Sequence, residues 1–174
     1  KRVGGMSIIR DEKKSPNYSI TAKILHWGFV ILFVYGIIKQ VDNLNQLKDS
    51  SLLRFEILFA SAFLVFLAAR YLYMKITQET SLPKDTSKSQ KLAAKIVHLG
   101  MYLNLGAIAA SGLLIGALFS LGFTDGFLIE LIITIHEFSV SLIYWLITVH
   151  VSAAIYHRFR RDGVWNSMVP FWKE

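Results

Sequence analysis

Four apolar stretches, about Ile20–Ile38, Ile57–Met74, Ile96–Phe119 and Phe127–Tyr156, take up more than half of a 174-residue chain. A helix rises about 1.5 Å per residue, so about 20 residues cross a hydrocarbon core of about 30 Å. Inside lipid every backbone N–H and C=O must find a partner within its own segment or barrel, which favours helices for stretches of this length. Only 18% of the residues are charged, against about 25% in a typical soluble domain. Four such segments leave too little polar surface for a water-soluble helical core. The expectation is an all-α, integral membrane four-helix bundle, one transmembrane domain over residues 1–174, with helices at about 20–38, 52–74, 96–119 and 127–156.

The net charge of +7 raises the question of nucleic acid, and its distribution answers it. Residues 1–23 carry Lys1, Arg2, Arg10, Lys13, Lys14 and Lys23. Residues 70–95 carry Arg70, Lys75, Lys84, Lys88, Lys91 and Lys95, and residues 158–174 carry Arg158, Arg160, Arg161 and Lys173. Four alternating helices put these three regions on one side, with a net +10 against −3 on the other. The positive-inside rule then places both termini in the cytoplasm. The basic charge is an orientation signal and a contact for anionic lipid head groups, not a nucleic-acid surface.

Cysteine is absent, so no disulfide, thiolate metal site or iron–sulfur cluster can form within this chain. No small-residue cleavage site follows the first apolar stretch, so that helix is expected to stay in place. Lys1 reads as a processed end, with Met6 as a candidate internal start. Residues 75–95 read as a polar connection and Leu121–Gly126 as a tight turn. Trp27, Trp145, Trp165 and Trp172 include expected interface anchors.

Of the five histidines, His26, His98, His136 and His150 fall inside expected spans. Ionisable side chains at membrane depth are expensive and face the bundle interior. His136 and His150 are fourteen residues apart, roughly 40° short of four full turns and about 21 Å along one helix face. That spacing suits one ligand in each leaflet and two stacked haems. His26, near the start of the first helix, matches His150 in depth. Two neutral imidazoles from facing helices make a six-coordinate haem centre that passes one electron, and bundle cores hold such cofactors. Zinc would need three or four ligands at one depth, which only His26, His98 and His150 approach. On the far side His136 has no histidine partner in helix two; the nearest candidate is Glu56. His157, among Tyr156, Arg158, Arg160 and Arg161, reads as interfacial.

The chain resembles the prokaryotic cytochrome b561 family from Tyr18 to Met168. The resemblance rests on Tyr18-Ser19 and Leu25-His26-Trp27, on Leu92–His98 with Ser111-Gly112, on His136-Glu137, His150-Val151 and His157, and on Arg161-Asp162-Gly163-Val164. It implies a four-helix bundle with two b-type haems. His26 and His150 match the cytoplasmic-side axial pair, and His136 matches one ligand of the periplasmic-side pair. The family's helix-two histidine falls at Glu56, and its following lysine at Ile57. The second haem is therefore lost, bound through His136 alone, or ligated by His136 and Glu56.

The resemblance further implies a membrane-bound b-type cytochrome of the bacterial inner membrane, carrying electrons between a quinone, with ubiquinone as a candidate, and a partner. His98, Arg70 and Lys95 become candidate contacts for a haem propionate or a quinone. Alternative readings are a superoxide:ubiquinone oxidoreductase, and an accessory subunit of a larger respiratory or photosynthetic membrane complex with one haem or none. A further alternative is the haem subunit of a hydrogenase or formate dehydrogenase.

Overall fold

The computed structural model describes residues 17–41 and 43–173. The basic residues Lys1 to Lys14, Met6, Asp42 and Glu174 lie outside the described residues. Four long helices form: α1 (Ile20–Ile38), α2 (Ser50–Thr77), α3 (Lys88–Ser120) and α4 (Phe127–Arg160). A 3-10 turn at Leu44–Lys48 precedes α2, and a short helix α5 (Val164–Met168) follows α4. All four long helices are apolar and long enough to cross a membrane.

Local chemistry sets the helix ends. Ser19 caps α1 by accepting from the Ala22 N–H at 3.1 Å, Asp49 caps α2 through Ser51 N–H at 2.8 Å, and Ser87 caps α3 through Gln90 N–H at 3.3 Å. The Ser87 cap explains why α3 begins eight residues before the expected position 96, and so shortens the 75–95 connection. Lys88–Lys95 lack apolar periodicity, but once capped they extend the helix through polar surroundings. Between α3 and α4 the chain reverses at Gly122 and Gly126, with φ of 84° and 96°, a conformation that costs glycine little.

Each long helix packs on its neighbour in the chain. Among the described residues no Cα of α1 comes within 8 Å of α3 or α4, and none of α2 comes within 8 Å of α4. α3 is the hub: 39% of its apolar window is buried, against 11% for each of the others. Side chains from all four helices meet at the centre, where Phe29, Phe63, Leu67, Leu105, Ala109 and Ile143 form one buried cluster. Phe29 and Phe63 lie 4.8 Å apart between ring centroids. α3 and α4 are clamped by the buried Asn104, whose amide donates to the Ser139 carbonyl at 2.7 Å. Such interhelical hydrogen bonds in lipid contribute about 1 kcal/mol.

The bundle has two unlike ends. The basic end gathers the start of α1, the end of α2, the start of α3, the end of α4 and α5. Here Ser19 N–H donates to Gln78 Oε1 at 3.0 Å and Ser19 Oγ meets Tyr73 Oη at 3.0 Å, tying α1 to α2. At the opposite end α2 and α3 press together: a Cβ added to Gly116 would sit 2.6 Å from Ile57 Cγ1.

Candidate functional site

Four side chains from four different helices converge near the basic end. His26 stands on α1, Arg70 on α2, His98 on α3 and His150 on α4. The His26 and His150 ring centroids are 6.5 Å apart, and those of His98 and His150 are 5.1 Å apart at 82°. Arg70 reaches between them. Its Nη2 donates to His26 Nδ1 at 2.7 Å, and its Nη1 donates to Tyr102 Oη at 2.7 Å. A guanidinium has no acceptor atom, so in this arrangement His26 Nδ1 supplies the lone pair. His98 is held the other way: its Nδ1–H donates to the Ala94 carbonyl at 2.7 Å, leaving Nε2 as the acceptor.

Arg70 is a half-buried cation with no counter-ion among the described residues. Its guanidinium lies over the rings of Tyr102 and Phe29, 5.2 and 6.0 Å from their centroids. Its Nε is buried and has no hydrogen-bond partner. The ion pairs among the described residues, His157–Asp162 and Arg160–Asp162, lie elsewhere. A buried unpaired charge is costly, and an anion beside Arg70 would relieve that cost.

Tyr102 escapes a reading of the sequence alone. It stands one turn after His98 on α3, so the two share a face, but an aromatic at that depth also fits an interface anchor. Lys95 is not brought into the group: it is exposed, and its side chain makes no hydrogen bond or ion pair among the described residues.

His136 lies toward the opposite end. The Ser111 hydroxyl hydrogen is committed to the Ala107 and Ile108 carbonyls at 2.6 and 3.1 Å. Ser111 Oγ therefore accepts from His136 Nδ1–H at 2.9 Å, which leaves His136 Nε2 unprotonated. Gly112 lies against the same ring, where an added Cβ would be 3.5 Å from His136 Cε1. Glu56 contributes a buried Oε1 without a hydrogen-bond partner. His157 pairs with Asp162 at 2.7 Å at the end of α4.

A family model described as prokaryotic cytochrome b561 matches residues 17–171. The chain belongs to the prokaryotic cytochrome b561 family. Searches of curated proteins and of solved structures gave no match. This cytochrome is a multi-pass membrane protein of b type, and membership implies b-type haem and electron transfer.

The residues at the basic end fit that cofactor. An imidazole nitrogen binds a first-row metal at about 2.0–2.1 Å, and the ring centroid lies ~1.1 Å further, so two axial imidazoles have centroids ~6.3 Å apart. His26 and His150 stand at 6.5 Å, on helices whose backbones stay more than 8 Å apart. Arg70, whose Nε has no hydrogen-bond partner among the described residues, would offer haem propionates a positive charge. At the opposite end the fit is incomplete: His136 is ready as a donor, but no second imidazole is present on that half of any helix.

Proposed function

We propose that this cytochrome holds one haem b at its basic end, ligated by His26 and His150, and passes electrons between a membrane quinone and a protein partner. The observation that carries the reading is the facing His26–His150 pair at 6.5 Å beside the uncompensated Arg70. The bound haem supplies one-electron redox chemistry. The chain's own residues do the rest. His26 and His150 would hold the haem iron through their two imidazoles. Arg70 and Tyr102 orient the propionate edge, and Phe29 shields the guanidinium from lipid. His98, with Nε2 free to accept, stands beside His150 where a quinol hydroxyl could donate to it. Lys95, exposed one turn earlier, meets lipid head groups or the propionate edge from outside.

The basic end faces the cytoplasm in this reading, and the membrane is the bacterial inner membrane, as the sixteen-to-six excess of basic over acidic residues on that side supports. The half that carries His136 and Glu56 holds no haem. That favours a one-haem carrier, or the subunit of a larger membrane electron-transfer complex, over an oxidoreductase that acts on superoxide at an outer haem.

The test is haem per polypeptide by pyridine haemochrome assay on detergent-solubilised protein, with a reduced-minus-oxidised spectrum. About one haem is expected. His26→Ala and His150→Ala each abolish the reduced α-band, whereas His136→Ala leaves it. An unchanged α-band in either of the first two refutes the ligand assignment.

A further inference from the structure

The two helices that carry the facing imidazoles do not pack on each other. α1 and α4 are joined at the basic end through the strap formed by α5 and residues 169–172, which approaches both.

On the α1 side Trp27 Nε1 donates to the Met168 carbonyl at 3.1 Å, and Lys23 Nζ donates to the Asn166 carbonyl at 3.1 Å. The Trp27 ring packs on Phe171 with centroids 5.1 Å apart. Trp27 is also the residue after His26, and the two rings meet edge to face at 5.7 Å. On the α4 side the chain turns through Arg161 and Gly163, with φ of 52° and 87°. Asp162 fixes that turn from both directions: Oδ2 accepts from His157 Nδ1 at 2.7 Å, and Oδ1 accepts from the Val164 N–H at 3.3 Å. His157 stands seven residues after His150, about two turns along nearly the same face. Arg158 lies over the Trp165 ring at 5.0 Å. Within the strap Ser167 is 1% exposed and its Oγ donates to the Val164 carbonyl at 2.6 Å. The anchor on α1 is therefore next to His26, the one on α4 reaches back through His157 to within about two turns of His150, and the strap is itself packed and hydrogen-bonded.

We infer that this strap is the positioning element of the imidazole pair: Trp27 and Asp162 hold the ends of α1 and α4 at the spacing and ring angle that His26 and His150 need. The inference rests on the haem assignment above. Neither residue touches the cofactor. They act through the helix ends, so their loss alters ligand geometry while the bundle core of Phe29, Phe63 and Ile143 stays intact. Ligand geometry held by a supporting shell is sensitive to displacements well under 1 Å.

The experiment uses the full chain in detergent, with three readouts: haem content, the ferric low-spin g-values by electron paramagnetic resonance, and the rate of haem transfer to apomyoglobin. Trp27→Phe keeps an aromatic ring at the position and removes the donor; Asp162→Ala removes both acceptors. Trp145→Phe, a lipid-facing residue 73% exposed on α4, is the control. The expected result is a shifted largest g-value and at least several-fold faster haem transfer in Trp27→Phe and Asp162→Ala, with Tm and the control unchanged. Unchanged g-values and transfer rates in both variants overturn the strap's role and leave the haem assignment standing. A wild-type protein without a low-spin bis-imidazole signal overturns both. Should Asp162→Ala fail to fold, Trp27→Phe decides alone.

Discussion

The two ends of this bundle solve the same problem differently. At the basic end α1 and α4 stay apart, and polar side chains meet between them: His26, His98, His150, Arg70 and Tyr102. At the opposite end helices press together directly. Gly116 admits Ile57 at a separation no Cβ would allow, and His136 spends its Nδ1–H on Ser111 of the neighbouring helix. One end keeps buried charge that its own residues do not neutralise; the other has little polar left to satisfy, apart from one carboxyl oxygen of Glu56. The difference teaches where a cofactor belongs. Among the described residues each end keeps one buried polar atom without a hydrogen-bond partner, Arg70 Nε at the first and Glu56 Oε1 at the second, but only the first sets it beside three imidazoles.

The strongest way to break the contrast is Glu56→His. Because His136 already presents Nε2 and α2 stays more than 8 Å from α4, a second imidazole should raise haem content from about one toward about two per chain. A pyridine haemochrome assay reads this directly, and a ratio unchanged from wild type would show that packing, not the missing ligand, closes that end.

Next in size is Arg70→Gln, which removes the cation and keeps a polar group. Hydrogen bonds to charged partners contribute about 1.5–3 kcal/mol, so haem affinity should fall about tenfold to a hundredfold. Haem transfer to apomyoglobin measures it, and Arg70→Lys should recover only part because it loses the two-armed reach to His26 and Tyr102.

Gly116→Ala probes the other end. Overpacking of this kind costs about 1–3 kcal/mol, so Tm should drop with haem content unaltered, and Ile57→Ala in the same chain should restore it.

The smallest effect is expected at the Asp49 cap. Hydrogen bonds from the Ser51 hydroxyl and amide hold its carboxyl below the ordinary carboxylate range. A depressed pKa stabilises the fold above the unfolded value and loses that contribution as pH falls through the folded one. The Tm difference between wild type and Asp49→Ala should therefore be small at neutral pH, begin to shrink below about pH 4, and vanish only once pH has fallen below the depressed folded value.

The four long helices were legible because lipid makes apolar length nearly sufficient for helix assignment. The inward histidines were legible because a fourteen-residue spacing keeps one face. Other features lay beyond such reasoning. The 3-10 turn at Leu44–Lys48 and the five-residue α5 are too short to show a period. Arg70 was identifiable as a basic residue at depth, but its bonds to His26 and Tyr102 depend on how α2 rotates against α1 and α3. Lys95 shared the same credentials of charge and depth, yet its place on the helix surface keeps it outside the group. The strap was hidden because its bonds run from side chains to backbone carbonyls of Asn166 and Met168, which carry no residue-specific mark.

The order of backbone packing, in which among the described residues each long helix comes close only to its neighbour along the chain, has a consequence for synthesis. Helices can dock one after another as they leave the ribosome, every step a local one. The facing imidazoles, however, stand on the first spanning helix and the last. A nascent chain released before α4 would be folded pairwise and still unable to grip the cofactor from both sides. On the proposed ligation by His26 and His150, haem capture would report that α4 has been made.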